Sequence, residues 1–244
     1  MSQRRPSLNP RVLLVLVVFA IGAYLVSAFV GATGGPGAAG PTSPPTTPPV
    51  ATPVAPPSAT TAETLATLAT LPVKGRAPKT GYDREAQFGS AWTDVDHNGC
   101  DTRNDVLARD LTATTIAGRC RVLSGVLADP YTGATIAFQR GETTSALVQI
   151  DHVVALSNAW QSGAQQLTRE RRVAFANDPR NLLAVDGPAN SAKGDGDAAT
   201  WLPANTAFRC EYVSRQVAVK SAFSLWVTRA EHDAVVRVLE TCPA

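Results

Sequence analysis

Asp151 and His152 stand side by side in LVQIDHVV (Leu147–Val154), a carboxylate and an imidazole set among apolar neighbours. His152 is one of only three histidines. Its ring suits general-base work because an imidazole titrates near neutrality. The Asp151 carboxylate suits a hard divalent cation such as Mg²⁺. In a regular strand the two side chains point to opposite faces, so both reach one cleft only if the strand end twists. Downstream, NDPRNLLAVDGPANSAKGDGD places Asn181 at the opening of a short apolar run, Asn190 at the start of the next segment and Lys193 one helical turn later. Each of these residues alone is ordinary in a core or a turn. Four of them in this order point to a site that can activate water and hold a cation.

DVDHNGCDTRND, residues 94–105, offers a second chemistry. Read as an EF-hand loop, it has Asp94, Asp96 and Asn98 at positions 1, 3 and 5, Gly99 at position 6 and Asp105 at position 12. A structural Ca²⁺ site is one expectation. Against it, Asp105 reaches less far than the usual bidentate Glu, and Gly89 interrupts the segment where an entering helix would lie. The other expectation is an Asp/Asn/Gly turn leading into a helix that starts near Thr102, with Val106, Leu107 and Leu111 as its apolar stripe. His97 and His232 lack motif partners and are expected at the surface or in packing.

These groups need elements to position them. RVLSGVLAD, PYTG and ATIAFQR read as strand, turn and strand; LVQIDHVV and NLLAV read as further strands. A helix is expected over Leu167–Ala176, a short one within the DGPANSAKGDGD segment, and two longer ones at the end, the last starting at Thr228 with Glu231 completing a capping box. Upstream lie two segments of different character. Residues 1–32 carry Arg4, Arg5 and Arg11 and then an uncharged apolar run, predicting a signal peptide or a membrane anchor. Residues 33–72 are rich in Pro, Thr, Ala and Gly and read as a disordered linker. The folded domain is expected over residues 73–244. Cys100, Cys120, Cys210 and Cys242 all follow the apolar run, and an even count in an exported chain suggests two disulfides. Three pairings are open; sequence order favours Cys100–Cys120 and Cys210–Cys242. Before Lys74 the only charged residues are Arg4, Arg5, Arg11 and Glu63, so with a net charge of +2 the rest of the chain is neutral. A polyanion must therefore meet a local patch. Arg169, Arg171, Arg172 and Arg180 form either such a patch or a solvated helix face. Trp92, Trp160, Trp201 and Trp226 are expected in the core.

The order Asp-His strand, Asn strand, Asn/Lys helix resembles that of the HNH nucleases. More closely, the chain is similar to secreted actinobacterial HNH-family proteins related to the C-terminal domain of GmrSD-type restriction endonucleases. The resemblance rests on GYDREAQFGSAW, NGCDTRNDVLARDL, DPYTG, IDHVVALSNAW, NDPRNLLAV and ANSAKGD. It implies an α+β fold with a ββα-metal core, extra helices and disulfides. It implies that His152 is the general base, that Asn181 fixes the loop orienting it, and that Asp151 and Asn190 hold the metal. Asn190 stands where the family's last motif histidine is found, and its harder oxygen favours Mg²⁺ or Mn²⁺ over zinc. Arg103 and Lys193, with Arg180 nearby, would contact nucleic acid. The function implied is an exported, metal-dependent endonuclease acting on DNA, or RNA as well, with little sequence preference. The rival is a calcium-stabilised extracellular binding module without catalysis, which would tolerate loss of His152 and depend on Asp94 and Asp96.

Overall fold

The computed structural model describes residues 59–243. The expected signal or anchor, and the linker up to residue 58, lie outside the described residues. Among those described, no helix is long and apolar enough to cross a membrane.

The first element corrects the expected linker boundary at residue 72. Helix α1 (Thr61–Thr70) opens with a capping box between Thr60 and Glu63. It buries Thr64 and Leu68, and Leu71 follows them into the core. Thr64 bonds to Ser214, and Thr61 donates to the Pro243 carbonyl. After it the backbone pairs with a later segment, through a bridge between Val73 and Val227. The Ala/Thr composition of α1 blends into the linker, and only the Thr-x-x-Glu cap and the leucine spacing betray it. A chain starting at Val73 is therefore expected to lose about 3–5 kcal/mol of stability, from exposing the surfaces that bury Leu68 and Leu71. Denaturant titrations of the two lengths check this.

Next come α2 (Arg84–Phe88), stopped by Gly89 at φ 81°, and α3 (Thr102–Asp110). The N-cap of α3 is Asp101, one residue before the expected start, and Val106, Leu107 and Leu111 are buried as the stripe predicted. Strands β1 (Leu111–Ala117), β2 (Arg121–Ala128) and β3 (Thr135–Gln139) form an antiparallel sheet in that order. The β2–β3 hairpin is the one expected around PYTG. β1 was not expected; its mostly exposed, threonine-rich sequence lacks a clean alternation.

The element that matters most for the site is smaller. Strand β4 (Val148–His152) leads to α4 (Leu156–Gln161) and α5 (Arg169–Ala176), and then pairs antiparallel with β5 (Leu182–Asp186), which runs straight into α6 (Gly187–Lys193). Helices α7 (Arg209–Ala222) and α8 (Arg229–Leu239) close the chain. The β4–β5 pair is buried on both faces. Val185 and Leu183 pack towards Leu68, Tyr212 and Val235, whereas Leu182, Ala184 and Ile150 pack towards Leu107, Val122 and Phe138. That two-sided burial explains why NLLAV reads as an unbroken apolar run. The disulfides are Cys100–Cys120 and Cys210–Cys242, as sequence order favoured.

The arginines of α5 bond to carbonyls of neighbouring segments, while Arg169 and Arg171 stay exposed. Arg172 donates to the carbonyls of Gln87 and Leu167, Arg171 donates to Ala222 O and lies over the Phe223 ring, and Arg169 bonds to Ala86 O. These guanidiniums fasten α5 to its neighbours, and their alkyl stems pack while their heads satisfy carbonyls. Trp160 and Trp226 are buried as expected, while Trp92 and Trp201 are only partly covered.

Candidate active site

β4 presents Asp151 and His152 opposite Leu183 and Leu182 of β5, so alternation sends the two side chains to different faces. Both nevertheless line one cleft of about 450 Å³, together with Asn190 of α6. α6 is anchored close by: Asp186 caps it by accepting from Ala189 N, and a Cβ at Gly187 would collide with the Ala146 carbonyl.

His152 is buried. Its Nε2 lies 2.8 Å from the Ala176 carbonyl oxygen, and its ring runs parallel to Trp92, with centroids 6.4 Å apart. A carbonyl only accepts, so Nε2 carries the proton and Nδ1 holds the lone pair. Burial, ahead of every other influence, pushes the imidazole pKa down to about 3. The ring is thus neutral across the physiological range, with Nδ1 as the basic atom, and burial makes that nitrogen a weaker base than the near-neutral titration expected from the sequence. The unfolded chain takes up that proton near pH 6.5 while the folded chain refuses it until about pH 3. This contribution to stability is therefore complete above pH 6.5 and is lost as pH falls through that window, on the order of a few kcal/mol in total. His152→Gln, which keeps a donor for Ala176 O, should lose less stability between pH 6.5 and 4 in parallel denaturant titrations.

Asp151 is also buried, and both its oxygens are engaged. Tyr131, on the β2–β3 turn, donates to Oδ2 at 2.5 Å, and the Lys193 ammonium reaches Oδ1 at 3.1 Å. Burial raises the carboxyl pKa and the adjacent Lys193 lowers it. Lys193 also donates to the His152 carbonyl at 2.9 Å. Its side chain is fully buried, so it serves Asp151 here and does not extend to a phosphate. Asn181, with no exposed surface, accepts from Val154 N and donates to Val154 O, while its own carbonyl accepts from Val153 N. These bonds pin the backbone that follows His152. Asn190 donates its Nδ2 to Gln149 Oε1, which leaves Oδ1 for the cleft.

The other expected contacts lie elsewhere. Arg103 donates to the Val148 carbonyl, and Arg180 is held by Asp178 through two nitrogens; neither lines the cleft. Among the residues that do line it and were not singled out are Lys79, Arg84, Ser157 and Asp195. Tyr131 was likewise missed: DPYTG reads as a turn, and nothing in its spacing links it to Asp151. A second cavity of about 490 Å³ is lined by Lys193, Asp195 and the Arg76–Asp197 ion pair, and contains neither Asp151 nor His152.

The 94–105 loop brings its side chains together and bonds several of them internally, while Asp94 Oδ1 is buried without a hydrogen-bond partner. Gly99 N bonds to Asp94, and the Asn98 amide nitrogen lies 3.1 Å from Asp96 and 3.3 Å from Asp105. Cys100 N fixes the Asn98 carbonyl oxygen away from those carboxylates. Among the described residues, no three His, Cys, Asp or Glu side chains are grouped so as to hold a metal ion. As arranged, this segment is a turn in front of α3, with a disulfide at Cys100. His97 sits in the turn at φ 58°, and His232 bonds to Asp233 in the first turn of α8.

A mixed α+β domain with an Asp-His strand, an Asn-headed partner strand and a helix bearing Asn and Lys thus surrounds the cleft. Residues 101–238 match the model of the GmrSD restriction endonucleases, C-terminal domain, and the chain belongs to that family. It is also 42% identical over 184 residues to an "Uncharacterized secreted protein" of the fungus Arthroderma benhamiae, covering 75% of this chain and 85% of the relative. No solved structure matches.

Proposed function

We propose that the protein is an exported HNH-type endonuclease that hydrolyses phosphodiester bonds of DNA, or RNA as well, with little sequence preference. The observation that carries this reading is the convergence on one cleft of a neutral imidazole, a buried carboxylate and a free amide oxygen. His152 Nδ1 would take the proton of a water molecule attacking phosphorus. Asn181 keeps the strand end, and so the ring, in place. The membership in a restriction-endonuclease family supports the reaction class. The two disulfides and the relative's description as secreted support an extracellular site of action.

The oxygen set suits Mg²⁺ or Mn²⁺, which commonly rely on one or two protein oxygens, with water and phosphate supplying the others. Asp151 and Asn190 would hold the cation, with Asp151 sharing its oxygens with Tyr131 and Lys193 or releasing one of them. Such a cation would stabilise charge on the phosphate and on the leaving oxygen. Asn190→Ala tests the assignment: the Mn²⁺ concentration giving half-maximal DNA cleavage should rise about ten-fold or more. An unchanged metal requirement would remove Asn190 from the set. The competing reading is a calcium-stabilised binding module, for which the 94–105 loop offers Asp96 and Asp105 gathered at one Asn98 amide and a buried, unpartnered Asp94 oxygen.

A further inference from the structure

The neutral domain needs a local cation to meet a phosphate, and most of its arginines and lysines near the site are already engaged. Lys193 is committed to Asp151, Arg180 to Asp178 and Arg103 to a backbone carbonyl. Lys79, at the cleft mouth, faces Asp195 at 3.5 Å and lies over the Tyr82 ring. Arg84 differs from all of these. It is exposed, and it lines both the main cleft and the small adjoining cavity that reaches His152, Trp92 and Ala176. Among the described residues it makes no ion pair or hydrogen bond. Its neighbour Asp83 is occupied in capping α2, where it accepts from Ala86 N. The helix that carries Arg84 is itself held firmly, by Phe88 in the core and by Arg172 on the Gln87 carbonyl.

We infer that Arg84 is the phosphate-binding residue of the site, seating a phosphodiester of the nucleic acid beside His152. A guanidinium fits this role because it stays charged and offers paired donors to two phosphate oxygens. Free of internal partners, Arg84 gives up no bond when the ligand arrives. Its exposed position also means that its removal should leave the fold intact. The inference rests on the nuclease reading.

The test separates the two. Binding of a short fluorescein-labelled DNA duplex is followed by anisotropy on the full chain carrying His152→Ala, so that the probe survives. Adding Arg84→Ala should weaken binding about ten-fold and lower the slope of log affinity against log salt by about one. Arg84→Lys should fall between the two, because it keeps the charge and loses the paired geometry. Arg215→Ala, which removes an arginine already paired with Glu211 on α7, should change neither quantity. Unchanged affinity and slope for Arg84→Ala, with the parent binding DNA, would overturn the Arg84 assignment and leave the nuclease reading standing. No binding by the parent, together with no cleavage by the unsubstituted chain, would overturn both.

Discussion

His152→Ala should cut the rate of DNA cleavage by about a thousand-fold while the protein still folds, the size of effect expected when a positioned general base is lost. The reason lies in the ring's surroundings. Nε2–H is spent on Ala176 O, burial keeps the ring neutral, and Nδ1 alone retains a lone pair. Nothing else on β4 or α6 can replace it: Asp151 is bonded on both oxygens, and Lys193 is buried as its counter-charge. Gel-based initial rates at saturating Mg²⁺, with circular dichroism to verify folding, provide the comparison. A variant retaining more than a tenth of the rate would take His152 out of the chemistry.

The second large effect concerns stability and lies away from the cleft. Lys220 near the end of α7 and Glu231 in the first turn of α8 are both buried, with Nζ 2.6 Å from one carboxylate oxygen and 2.8 Å from the other. Lys220 also donates to Trp226 O, and Glu231 closes the capping box with Thr228. The pair therefore fixes the turn between the last two helices, and through Val227 the strand-like segment after α1. Lys220→Met leaves a carboxylate buried without its cation and should cost about 3–5 kcal/mol. Replacing both residues with Met should recover a large part of that loss, less the value of the cap, about 1 kcal/mol. Denaturant melts that put the double variant below the single one would show that the pair's bonds, and not the stranded charge, dominate.

What the sequence disclosed depended on periodicity and punctuation. The Thr228/Glu231 cap, the β2–β3 hairpin and the two-sided β5 strand all carry local signals, and the structure has them close to where those signals lie. Helix α1 lacks charge contrast with the linker before it, so composition concealed a segment that packs into the core. The site divides in the same way. Asp151, His152, Asn181 and Asn190 stood out because they lie in two short stretches, one forming β4 and the other running through β5 into α6. Tyr131 and Arg84 come from distant parts of the chain and meet the site only through tertiary packing, which no spacing rule reports. The arginines left two readings open because a run of positive charge in sequence looks the same whether its heads face solvent or satisfy carbonyls. The 94–105 loop is two-valued for a related reason: the Asp/Asn/Gly pattern that holds calcium also builds a self-bonded turn.

The most direct measurement is cleavage of supercoiled plasmid by the oxidised full chain in Mg²⁺, Mn²⁺, Ca²⁺ or EDTA. The account predicts nicking and then linearisation in Mg²⁺ or Mn²⁺, and none in EDTA. Intact plasmid in every cation, from a protein verified as folded and whose melting temperature rises with Ca²⁺, would contradict it and favour a calcium-stabilised binding module.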